Sequence, residues 1–183
     1  MDSVKVVAIS GASGCGKTST ARQLSSDFGC PCLHFDDYVN TLSYPQDMKE
    51  WYKNGADVSK INTPDMINDL RQLVEENHSY IFVEEPFGRE RSCISSLIDY
   101  VVLLDQPMDL CLSRIVRRNI ECSANYSYSS IIKYLGNYED HFRDIYIETV
   151  NQVRKNCDLI IQDICPVSVT TDIVSKWLKS KTN

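Results

Sequence analysis

The stretch GASGCGKTST, residues 11–20, follows the apolar run Val4, Val6, Val7, Ala8, Ile9 with only Ser10 between. Few folds accommodate that sequence of events. A short continuous apolar run suits a strand buried on both faces, as in a parallel sheet covered by helices, and the glycines that follow let the backbone turn sharply. Gly11, Gly16, Lys17 and Thr18 fit the pattern GxxxxGK[ST], and the strand before and helix after that the pattern requires are both indicated here. In such a turn the backbone N–H groups of Gly11, Ala12, Ser13, Gly14, Cys15, Gly16, Lys17, Thr18 and Ser19 cradle phosphate oxygens, aided by the positive end of the helix that begins there. Lys17 is placed to reach the β and γ phosphates and Thr18 to present its hydroxyl to Mg²⁺. The segment predicts a site for a nucleoside triphosphate with its magnesium ion.

Four further strand-like runs follow, at Cys32 to Phe35, Tyr80 to Val83, Tyr100 to Leu104 and Leu159 to Ile161, with segments of helical period between them. Strands alternating with helices predict a P-loop NTPase fold of the α/β class, a three-layer α/β/α arrangement around a five-stranded parallel sheet. Thr18 to Phe28 reads as the first helix, stopped by Gly29 and Pro31. Thr63-Pro64 opens a second helix through Leu70, Leu73 and Val74, and Pro107 opens a third that runs to about Cys122. Ile131, Tyr134, Leu135, Tyr138, Phe142 and Ile145 repeat at helical spacing and read as the buried face of a long helix rather than as a ligand cage. Asp37 to Asn62 and Cys122 to Ser130 lack regular period and are expected to be loops facing the substrate. Tyr44, Trp51 and Tyr52 in the first of these read as anchors of the loop.

With 183 residues and 43% hydrophobic content, the chain suits one well-cored domain spanning 1–183. A net charge of −6 speaks against nucleic-acid or anionic-membrane partners that bind through bulk positive charge. No apolar stretch reaches the ~18 residues that span a bilayer, and no signal pattern opens the chain, so the expected location is cytoplasmic, as a monomer or homodimer. The eight cysteines are scattered without zinc spacing and read as reduced, small apolar fillers.

Acidic residues recur where the predicted strands end. Leu33-His34-Phe35-Asp36-Asp37-Tyr38 puts carboxylates at the carboxyl edge of the sheet, where open α/β sheets bind ligands. From there Asp36 can accept the proton of an attacking hydroxyl or hold Mg²⁺ through water. The third strand ends in Glu84-Glu85-Pro86, and Glu84 is assigned to the metal or its water. Asp105, after the fourth strand, is the alternative, although its place before Gln106-Pro107 also suits a helix cap. On the following helix Arg114, Arg117 and Arg118 fall at i, i+3 and i+4. Their planar forks match phosphate oxygens, which predicts an arginine-bearing lid over the transferring group.

In this order the motifs resemble the P-loop nucleoside kinases of the uridine kinase and nicotinamide riboside kinase group, from about Val4 to Asp163. The resemblance implies transfer of the γ-phosphoryl group of ATP, with Mg²⁺, to a hydroxyl of a small molecule, a nucleoside or nucleoside-like ribose compound. It makes Asp36 the general base, with Lys17, Arg114 and Arg118 as its catalytic companions. It puts Thr18, Asp36 and Glu84 at the metal, and Asp36, Asn62, Glu84 and Arg117 around the acceptor. Tyr134, Leu135 and Tyr138 match the group's Tyr-Leu…Tyr helix, and Leu159 to Asp163 its last strand and the loop toward the adenine. The chain departs from the group at two places. Ile61-Asn62 stands where relatives have Tyr-Asp or Phe-Asp, so an amide replaces a charge-assisted partner for ribose hydroxyls. Glu85-Pro86 stands where a Gly usually follows the glutamate. Both lie on the acceptor side. Two other readings stay open there: a kinase of a sugar acid or vitamin precursor, and a nucleotide-binding regulatory protein with little turnover.

Overall fold

The first strand, β1 (Lys5–Ser10), is buried from Val6 to Ser10 and forms the middle of the sheet. The computed structural model describes residues 4–121 and 128–181. After β1 come α1 (Lys17–Phe28), β2 (Cys32–His34), a 3₁₀ turn (Phe35–Tyr38), α2 (Met48–Lys53), a second 3₁₀ turn (Val58–Lys60) and α3 (Pro64–Val74). The second half holds β3 (Tyr80–Glu84), α4 (Ser92–Ser95), β4 (Tyr100–Leu104), α5 (Met108–Glu121), α6 (Tyr128–Asn137), a π turn (Tyr138–Phe142), α7 (Arg143–Arg154), β5 (Leu159–Ile161) and α8 (Val167–Lys181). All five strands are parallel, in the order β2-β3-β1-β4-β5.

Side chains alternate across each strand, so every strand feeds two cores. Val6 and Ala8 of β1 join Leu33, Ile81, Val83, Val101 and Leu103 in a core that α3 and α7 cover. Val7 and Ile9 point the other way, to Phe82, Val102 and Leu104, under α1 and α8. The expected three layers and five parallel strands are present.

Three departures concern the segments between the strands. Asp37 to Asn62 is not without regular structure: it holds α2, the whole of the second 3₁₀ turn and the end of the first. Side chains nucleate these short pieces locally. Asp47 accepts the Glu50 N–H at 2.9 Å to cap α2, Asp57 accepts the Ser59 N–H at 3.0 Å, and the Trp51 indole donates to the Asp57 carbonyl at 2.8 Å. Of the stretch Cys122 to Ser130, residues 122–127 lie outside the described residues, and Tyr128 onward is already α6. The stripe does lie on one helical run, but a π turn interrupts it, only Tyr138 and Ile145 of it are buried, and Phe142 and Ile145 line a cavity. Residues four apart on an α-helix advance by about 400°, so rings at Tyr134, Tyr138, Phe142 and Tyr146 would drift about 40° per step. A turn closed by i→i+5 bonding takes up such drift. The rings stay in contact, with centroids 6.4 Å apart for Tyr134–Tyr138, 6.3 Å for Tyr138–Tyr146 and 6.2 Å for Phe142–Tyr146.

The cysteines among the described residues are free thiols. No helix among those residues is long and apolar enough to cross a membrane.

Candidate active site

Between β1 and α1 the chain folds into the phosphate loop because glycine stands where nothing else fits. Gly11 (φ 135°) and Gly14 (φ 82°) are in left-handed conformations, and a Cβ on them would lie 2.6 Å from the Leu104 carbonyl oxygen and 2.4 Å from that of Cys111. The back of the loop is therefore pressed onto β4 and α5. Its other side faces a cleft of about 340 Å³ walled by Lys17, Thr18, Asp36, Glu84, Arg114 and Arg118, together with Gly11 to Gly14, Gly16 and Ser19 of the loop itself.

Lys17 is buried and its Nζ donates to the Ala12 carbonyl at 3.0 Å, which curls the side chain over the loop. Thr18 Oγ1 donates to Glu84 Oε1 at 2.9 Å. Parallel registry sets Glu84 level with Ile9 of β1 and His34 of β2, so β3 delivers this carboxylate beside the loop. Asp36 stands in the 3₁₀ turn after β2, exposed on the cleft wall. Cys15 is buried at the back of the loop, and burial pushes its thiol above the usual range.

Asp105 stands elsewhere. Its carboxylate is taken by Arg154 at 2.8 Å and Gln162 at 2.9 Å, and it is not on the cleft wall. Of the two acids that could serve a metal, Glu84 is the one joined to Thr18. The three arginines divide in the same way. Arg114 reaches the Gly14 and Cys15 carbonyls at 3.5 and 3.4 Å, and Arg118, one turn on, shares the cleft. Arg117 is exposed and off the wall, since it lies about 60° from Arg114 on the side away from Arg118 and about 100° from Arg118. Asn62 is likewise exposed and off the wall of the cleft, its backbone N–H held by the Ser43 carbonyl at 2.9 Å. The structure therefore brings together neither Arg117 nor Asn62 with the other expected site residues.

A second cavity, of about 350 Å³, adjoins the cleft. Tyr44, Phe87, Tyr146 and Thr149 border both spaces, and Met48, Trp51, Ile61, Phe142 and Ile145 complete the second one. Tyr44 and Trp51, read from the sequence as anchors, line a cavity as well as holding the loop. Burial raises the pKa of the Tyr44 phenol, with Asp36 and Glu85 adding to the effect. Burial and Tyr134 do the same for Tyr146. Both phenols are neutral hydroxyls near pH 7. Phe87, Tyr146 and Thr149 were not legible as site residues, because Tyr146 and Thr149 come from α7, whose pattern reports only a buried face, and Phe87 from the turn after β3, which has no period to read.

No group of three or more His, Cys, Asp or Glu side chains among the described residues is placed to hold a metal by itself. The Thr18 hydroxyl with the Glu84 and Asp36 carboxylates is a set of hard oxygen donors, and one or two carboxylates completed by phosphates and water is what Mg²⁺ takes. The residues fit that ion in company with a nucleotide.

No protein-family model matches the chain. The chain is similar to curated uridine kinases. That of Schizosaccharomyces pombe is 28% identical over 205 aligned residues, covering 96% of this chain and 44% of the relative. That of Saccharomyces cerevisiae is 23% identical, covering 96% and 40%, and that of Macrococcus caseolyticus is 25% identical, covering 98% of each. The chain spans less than half the length of the two yeast relatives. Among solved structures, a shikimate kinase from Acinetobacter baumannii in complex with shikimate superposes with a TM-score of 0.57 at 17% identity, covering 98% of this chain and 93% of that one. A sugar kinase from Janibacter sp. superposes with a TM-score of 0.58 at 15% identity, covering 96% and 95%. In fold the chain is a P-loop α/β protein, and its sequence likeness to the P-loop nucleoside kinases runs over nearly its whole length.

Proposed function

We propose that the protein is a small-molecule kinase that moves the γ-phosphoryl group of ATP to a hydroxyl of a nucleoside-like acceptor. The observation that carries this reading is the shared wall between the phosphate-loop cleft and the aromatic cavity, with Asp36 on the cleft side next to Tyr44. A donor seat and an acceptor seat meet at a carboxylate.

On the donor side, the N–H groups of the loop hold the phosphates, and Lys17 exchanges its bond to the Ala12 carbonyl for phosphate oxygens. Arg114 and Arg118 face them from α5 and offset the charge that spreads over the moving group. Thr18 and Glu84 are the residues that would hold Mg²⁺, which would supply positive charge against the phosphates when bound. Asp36 accepts the proton as the acceptor oxygen bonds to phosphorus, and the bond from phosphorus to the departing ADP oxygen breaks. Catalysis here is positioning and electrostatics, since the transition state is loose.

The aromatic cavity bears on the acceptor's chemistry. Among the described residues its lining holds no Lys, Arg or His. A carboxylate entering it would lose water without gaining a cation, which costs far more than burying an uncharged ring. Flat aromatic walls with neutral phenols instead suit an uncharged base, leaving the sugar hydroxyl toward Asp36. This favours a nucleoside-like acceptor over a sugar acid.

The test is ADP release measured against a panel of nucleosides, free sugars and sugar acids. Acceleration by nucleosides above the ATP-only background is expected, and silence across the panel would overturn the reading. In the same assay Asp36→Asn should leave ATP affinity intact and lower transfer by roughly 10²- to 10⁴-fold, the span of a lost general base.

A further inference from the structure

Two glutamates stand at the end of β3, Glu84 as its last residue and Glu85 just after it, and they are held in opposite ways. Glu85 is fully buried and grips Arg91 with both oxygens, at 3.1 and 2.6 Å, so a guanidinium consumes its charge. Glu84 meets no guanidinium among the described residues. Its Oε1 accepts the Thr18 hydroxyl at 2.9 Å, and its Oε2 lies 3.2 Å from Nδ1 of His34, the residue level with it on β2.

The imidazole is itself oriented from behind. Arg22, on α1, directs its Nε–H to His34 Nε2 at 3.3 Å. A guanidinium can only donate, so Nε2 is the acceptor and the ring proton sits on Nδ1, whose N–H donates to Glu84. Arg22, His34, Glu84 and Thr18 thus form one line of hydrogen bonds across α1, β2 and β3, in which the last two face the cleft.

We propose that His34, oriented by Arg22, is a positioning residue that fixes the Glu84 carboxylate toward the magnesium ion accompanying the nucleotide. The inference rests on the reading of Glu84 as the acid that faces the metal. The arrangement suits that task for two physical reasons. A glutamate has three rotatable side-chain bonds, and a single anchor at Oε1 leaves its carboxylate free to turn, whereas anchors on both oxygens fix its plane. An imidazole N–H does this without neutralising the carboxylate, so the charge remains for a cation. Thr18, by giving its proton to Glu84, turns its oxygen lone pairs to the cleft.

Partners that orient a metal-binding side chain are typically worth 10- to 100-fold in metal affinity. The measurement is Mn²⁺ binding by electron paramagnetic resonance, with a non-hydrolysable ATP analogue bound and thermal unfolding as the check on folding. His34→Ala should weaken Mn²⁺ by roughly 10- to 100-fold while affinity for the analogue in EDTA is unchanged. His34→Asn, whose amide nitrogen reaches the place of Nδ1, should restore most of the loss. Arg22→Ala, an exposed change that leaves the ring in place, should weaken Mn²⁺ by less. Glu84→Gln is the reference. If it weakens Mn²⁺ and the folded His34→Ala and Arg22→Ala variants do not, the inference fails and the reading of Glu84 stands. If Glu84→Gln itself leaves Mn²⁺ unchanged, that reading fails and the inference falls with it.

Discussion

Arg91 is the largest of the fully buried side chains, and it carries a charge. Beyond its paired bonds to Glu85 it donates to the Ile61 carbonyl at 3.1 Å and to Thr63 Oγ1 at 3.0 Å, and its guanidinium lies 5.1 Å from the centre of the Phe35 ring. One side chain thereby ties the end of β3 to the residues on either side of Asn62 and to the residue before Asp36. Removing one member of a buried pair leaves the other uncompensated, so Arg91→Met should cost about 3–5 kcal/mol, read as a lower urea midpoint. Arg91→Met combined with Glu85→Gln should recover a large part of that loss. Nothing local in the sequence announces this role. Glu85 is six residues away, too far to face it by any regular period across a turn, the other two partners lie 30 and 28 residues away along the chain, and a basic residue after a strand reads as solvated. The phosphate loop was legible because its chemistry is contiguous, and Glu84 because the strand that carries it is. Arg117 was misplaced for the converse reason. Shared spacing on a helix names a face but not its angular limits.

At the scale of elements, strands buried on both faces write themselves into the sequence as apolar runs, and their ends were found to within about a residue or two. The short helix α2 did not show, because six residues hold too little of a period to detect and its cap, Asp47, resembles any turn residue. The π turn was hidden because a template of fixed helical period has no place for an extra residue, although the strict four-residue spacing of the rings carried the signal. That ladder makes its own prediction. Phe142 packs on Tyr134 at 5.9 Å and Tyr146 at 6.2 Å and borders the aromatic cavity. Phe142→Ala should cost about 1–3 kcal/mol, less than a fully buried ring because this one is half-exposed. Steady-state kinetics should show a raised KM for the acceptor with the KM for ATP unchanged.

For the molecule as a whole, the cleft joins β1, β3, the turn after β2 and α5, so a ligand there binds only the folded chain. ATP with Mg²⁺ at a hundred times its Kd should add about 2.7 kcal/mol. For a chain of this length that corresponds to a rise in Tm of about 5–10 °C, measurable by calorimetry, and Lys17→Ala should remove most of it. The architecture was legible at this scale because alternation of strands and helices leaves few ways to build a sheet. The juxtaposition of two cavities was not, since it depends on how α2 and α7 lean together.

The tight seat of Gly14 also governs how such a molecule can move. A single Cβ there would meet the Cys111 carbonyl at 2.4 Å and the Ile115 side chain at 3.0 Å, so the phosphate loop and the first turns of α5 have no clearance to slide past one another. They behave as one jaw. The expected arginine-bearing lid is thus anchored at its root, since Arg114 stands beside Ile115 in the tight contact, and any opening of the site is expected on the opposite wall, which Tyr44, Trp51 and Phe142 line.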